Sequence, residues 1–102
     1  MKYSYRTQRG KSEPIRLQSG DEVSLLARRG EKDESLVQIT RGTESIFWCQ
    51  EGQQPSQAEI VRPAICADQF LILLRALASA HSLDFRRAQP KEGALVSYVL
   101  ID

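Results

Sequence analysis

Through much of the first half of the chain apolar positions alternate with polar ones. That period of two puts successive side chains on opposite faces of a strand. Tyr3 and Tyr5 alternate with Lys2, Ser4 and Arg6. Pro14–Gln18 sets Ile15 and Leu17 against Arg16 and Gln18, and Pro14 suits a strand start because it has no N–H to give to a ladder. Glu22–Arg28 places Val23, Leu25 and Ala27 on one face, and Ser35–Thr40 aligns Val37 with Ile39. Glu44–Gln50 divides Ile46 and Trp48 from Phe47 and Cys49. Three links punctuate this run: Ser19-Gly20-Asp21, the charged loop from Arg28 to Asp33, and Arg41-Gly42. Strands in succession with short links predict an antiparallel meander.

The period then changes. Phe70, Leu73, Leu74, Leu77 and Ala78 follow i, i+3, i+4, i+7, i+8, the buried stripe of a helix, and Leu71 is expected to widen it. Asp68 is the expected N-cap. Ile72 does not fit the stripe. It falls on the side of Asp68, Arg75, Ser79 and Ser82, so either a loop covers it or it belongs to a second contact surface, such as a dimer partner. Between the meander and the helix, Glu51–Gln57 reads as a loop, and Ile60-Val61 as a brief apolar anchor. After the helix, Leu83–Ala88 is a short strand candidate, and Gln89–Gly93 a turn. Ala94–Ile101 is apolar on both faces, which predicts a central strand. The whole is an α+β fold: an antiparallel β-meander of about four strands, one main α-helix, then a C-terminal strand or hairpin. Residues 1–12 form a basic N-terminal arm or edge strand, and 13–102 a single domain.

Composition fits that reading. The 102 residues are 41% apolar and 26% charged, the balance of an ordinary globular domain. Net charge is +1 but unevenly spread. Residues 1–17 carry five bases against one acid, and residues 18–60 carry eight acids against four bases. Such asymmetry steers charged partners. Cys49 and Cys66 have no metal-ligand spacing, and are expected as buried free thiols in a reducing compartment. Met1–Arg9 lacks the apolar core of a signal peptide, which leads to an expected cytoplasmic localisation without membrane insertion.

The search for chemistry points away from an enzyme. One histidine, His81, would have to serve any Ser-His-Asp or Cys-His site, and it falls at the helix end. Asp21-Glu22 and Asp33-Glu34 are adjacent carboxylates in turns. The six glycines are isolated, so no phosphate-cradling loop forms. No cofactor and no metal is expected.

What remains is binding. Lys2, Tyr3, Tyr5, Arg6, Arg9, Lys11 and Arg16 combine phosphate-neutralising cations with rings on which bases stack, a candidate interface for single-stranded nucleic acid. Arg28-Arg29 and Arg86-Arg87 would extend it if the sheet brings them near the arm. Phe47, on the face opposite Ile46 and Trp48, and Ile72 are candidate partner contacts. The element order is similar to that of positive-cofactor-like and Whirly-like single-stranded-DNA-binding domains. That likeness is topological, matches no motif residue by residue, and implies nucleic-acid binding on a sheet. Two readings therefore stand: a small non-enzymatic binding or regulatory module contacting nucleic acid, or a protein–protein adaptor, inhibitor or immunity-type protein. A homodimer is compatible with either.

Overall fold

The computed structural model describes residues 3–7, 15–27, 35–50 and 64–102, with the backbone alone for Tyr3, Ser4, 47–50 and Ala64. In chain order the strands are β1 (Tyr3–Thr7), β2 (Glu22–Ala27), β3 (Ser35–Arg41), β4 (Glu44–Gln50) and the two-residue β5 (Ala64–Ile65). A 3₁₀ turn (Ala67–Gln69) leads into helix α1 (Phe70–Ala80), and β6 (Asp84–Ala88) and β7 (Ala94–Ile101) form the C-terminal hairpin. The fold is α+β, with antiparallel strands in the order β1-β4-β3-β2-β7-β6 and β5 beside β3.

The meander runs β2-β3-β4. Arg41 pairs with Glu44 across a two-residue turn whose first position, Gly42, has φ +62°, as a type II′ hairpin turn requires. Pairing between β3 and β4 lasts only three residues, from Arg41↔Glu44 to Ile39↔Ile46. Beyond Ile46 the second neighbour of β4 is β1, and β5 takes the vacated place beside Ser35 and Leu36. β7 is central, paired with β2 on one side and β6 on the other.

One face of the sheet carries the core. Val23, Leu25, Val37, Ile39 and Leu100 are at most 2% exposed, and α1 lays Phe70, Leu74, Leu77 and Ala78 across them. Burying each large side chain there contributes about 1.5–3 kcal/mol. Every strand from β1 (Tyr5) to β6 (Phe85) supplies a residue to this one cluster or packs against it, β5 through Ile65.

Four local expectations are corrected. Within Pro14–Gln18 only Ile15 pairs, through one bridge to Tyr5, and Pro14 lies outside the described residues. The alternation there records sidedness without a ladder: Leu17 is 4% exposed, while the backbone turns at once toward Asp21. Asp68 is not an N-cap. It lies exposed inside the 3₁₀ turn, and no side chain caps either that turn or α1. Leu71 does not widen the buried stripe; it is 44% exposed, a third of a turn from the core-facing Phe70. Cys66 is an exposed free thiol, not a buried one, because it precedes the 3₁₀ turn on the surface. The side chain of Cys49, the Arg28–Asp33 and Glu51–Gln57 loops and the Ile60-Val61 anchor lie outside the described residues.

Candidate functional site

The C-terminus of α1 closes as a Schellman motif. Leu83 N–H donates to the Ala78 carbonyl (2.8 Å) and Ser82 N–H to that of Ser79 (3.2 Å), with Ser82 in the left-handed region at φ +56°. His81 is consumed by this cap: its Nδ1 lies 3.0 Å from the Leu77 carbonyl, an acceptor, so Nδ1 carries the proton. The ring meets Tyr5 edge-on at a centroid distance of 5.4 Å. Tyr5 is thus a core residue, 9% exposed, that joins β1 to the helix end. Its ring is not at the surface for a base to stack upon.

The other members of the proposed basic interface are placed only in part. Arg6 lies in β1 and is half-buried, and Arg16 is exposed with its carbonyl accepting from Arg41 Nη2 (2.8 Å). Tyr3 pairs with Gln50 through the backbone. Lys2, Arg9 and Lys11, like Arg28 and Arg29, lie outside the described residues. Arg86 and Arg87 are exposed on β6, at the opposite end of the strand order from β1. Charged side chains on an edge strand also discourage pairing with another chain.

Two polar constellations were not foreseen. The carboxylate of Asp21, 1% exposed, accepts Arg41 Nε (2.8 Å) and Nη2 (2.9 Å) as a fork, and also the Gln18 N–H (2.9 Å). The hydrogen bond to Asp21 raises the Arg41 pKa, against the lowering effect of burial, and the charges of Asp21 and Glu44 raise it further. On the sheet face away from α1, the hydroxyls of Ser24 and Ser97 meet at 2.8 Å in a buried pair. Lys91 lies across that face, its Nζ 2.7 Å from Thr40 Oγ1 and 3.6 Å from Glu22 Oε2, while its backbone N–H reaches Ser97 Oγ (3.3 Å). Each of these groups has an internal partner, which marks both sets as structural. The sequence clue to the first was an aspartate between a glycine turn and an apolar strand; nothing local pointed to the second.

The outer face of α1 differs. Ile72 is 69% exposed and Leu71 44%. Asp68, Arg75, Ala76 and Ser79 surround them and are also exposed. Among the described residues no loop covers Ile72. Phe47 sits in β4 opposite Arg6, with its side chain outside the described residues. Among the described residues no group of three His, Cys, Asp or Glu side chains is placed to hold a metal ion, and no helix is long and apolar enough to cross a membrane. Comparison with protein-family models, with curated proteins and with solved structures finds no match.

Proposed function

We propose that this chain is a small non-enzymatic binding module that engages a protein partner through the outer face of α1. The observation that carries the reading is the exposure of Ile72 and Leu71, side by side on a helix whose opposite face is already filled by the core. Large aliphatic side chains gain from leaving water, and a helix needs only one apolar face to hold it on a sheet. The non-enzymatic part rests on His81, which is committed to the helix cap and to Tyr5. Burial of Tyr5 favours a protein over single-stranded nucleic acid, since it removes one of the two stacking rings from the basic arm.

The test is a photo-crosslinking amino acid at position 72, with the same probe at the exposed Gln89 as control, in extracts of the source cells. The expected result is a protein adduct at 72 that Leu71→Glu abolishes and that position 89 does not give. Adducts at both positions, at neither, or with nucleic acid in place of protein overturn the reading.

A further inference from the structure

The exposed stripe on α1 has a symmetry of its own. Asp68, Ile72, Arg75 and Ser79 are spaced by four, three and four residues, so they form one seam along the helix and the turn that leads into it. Leu71 flanks the seam beside Ile72. Between Ala67 and Ala80 the only charged residues are Asp68 and Arg75, an acid about one turn before the aliphatic pair and a base about one turn after it. Both are exposed.

Resting on the reading of this face as a contact surface, we infer that its occupant is a second copy of the chain, docked antiparallel about a two-fold axis beside Ile72. Residues 68 and 75 are equidistant from the midpoint of Leu71 and Ile72, each about 5 Å along the helix. Antiparallel docking there sets Asp68 of each copy against Arg75 of the other and brings both Leu71–Ile72 pairs together at the axis. Parallel docking sets like charges against each other and is disfavoured. The pattern is that of an isologous contact, in which one patch is complementary to itself. Small residues, Ser79 on the seam and Ala76 beside it, let the helix backbones approach.

The surface of about three turns is smaller than the roughly 800 Å² per partner of a standard stable interface. A weak dimer follows, since so small a surface leaves little surplus over the cost of association. Sedimentation equilibrium of the whole chain from about 1 µM to about 1 mM should show this, with association weakening at high salt. Asp68→Arg and Arg75→Asp should each be monomeric throughout that range, since each sets two like charges against each other twice. The two variants mixed in equal amounts should form a heterodimer, and the double charge swap should restore self-association. Circular dichroism of each variant confirms that the fold is kept.

A wild-type chain that stays monomeric at about 1 mM overturns the dimer, as does association of the single variants as tight as wild type or a failure of the mixture to pair. Such a failure leaves the proposed function standing if the position-72 adduct contains a different protein. A chain that stays monomeric to about 1 mM and also gives no adduct at position 72 removes both.

Discussion

Removing Arg41 should destabilise the fold more than its place beside a hairpin turn implies. Its side chain is 29% exposed, but the Asp21 side chain it pairs with is only 1% exposed. Arg41→Ala therefore strands a buried carboxylate, to which the Gln18 N–H still donates. It also removes the donor to the Arg16 carbonyl. Breaking a buried pair from one side costs about 3–5 kcal/mol, and the surviving hydrogen bond to Gln18 puts the expected loss near about 3 kcal/mol. Asp21→Ala frees the half-exposed Arg41 to swing into solvent, so it should cost less through the ion pair. It also orphans the Gln18 N–H, for about 1–2 kcal/mol more. In the double variant no charge is stranded, and its loss should fall short of the sum of the singles by about 1.5–3 kcal/mol. Urea denaturation of the four proteins, with equal m-values, gives the cycle. The sign of the pH dependence is fixed too. The Arg41 pKa is raised, so its contribution is present below the unfolded guanidinium value and lost only above the folded one. The coupling should be flat from about pH 7 to about pH 10. A loss under about 1 kcal/mol for Arg41→Ala, or additive singles, would refute the reasoning.

Ser82 holds a left-handed conformation, φ +56°, that costs a non-glycine residue about 1–2 kcal/mol. Ser82→Gly should stabilise by about 0.5 kcal/mol once the extra freedom of glycine in the unfolded chain is subtracted, measured by the urea midpoint; a lower midpoint contradicts the strain. Deleting Tyr98–Asp102 removes the fully buried Leu100 and the segment of β7 that pairs with both β2 and β6. No cooperative thermal transition should remain, and an unchanged midpoint would contradict the central placement of β7. Ser97→Ala removes the hydroxyl that meets the buried Ser24 and should cost about 1–2 kcal/mol, while Ser24→Ala/Ser97→Ala should cost less than the two singles added. Urea melts decide this as well, and strict additivity would show that the two hydroxyls do not interact.

The elements that were legible in the sequence are those whose signal is local. The bounds of β4 and β7 follow from the turn residues beside their apolar runs, and the core stripe of α1 from side-chain period, because burial on one face of a helix imposes a fixed repeat. Pairing is not local. Nothing within Tyr3–Thr7 states that β1 lies beside β4, and nothing in β3 announces that its second neighbour changes from β5 to β4 between Leu36 and Ile39. Ile15 and Leu17 show the limit clearly. Their alternation is real and Leu17 is buried, yet side-chain sidedness needs no backbone ladder, and the hydrogen bonds there go to a turn organised by Asp21. That aspartate reads as an ordinary turn residue until Arg41, twenty positions on, is folded against it. Ile72 was singled out because helical arithmetic puts it opposite the core; Leu71 was misplaced because it stands at the margin of the buried stripe.

The division of labour across α1 connects fold to function. Phe70, Leu74 and Leu77 are 6% exposed or less, so the helix is anchored without its outer stripe. Asp68, Leu71, Ile72 and Arg75 are exposed, so each can change without opening the core. Selection for folding alone would leave that stripe polar, because aliphatic groups in water contribute nothing to the isolated chain and favour aggregation. Two adjacent aliphatic side chains bracketed by opposite charges are the arrangement that a contact with another helix uses, the apolar pair supplying affinity and the charges fixing direction. The separation also makes the reading testable: a surface that carries none of the fold's stability can be reversed in charge, and the loss that follows belongs to binding.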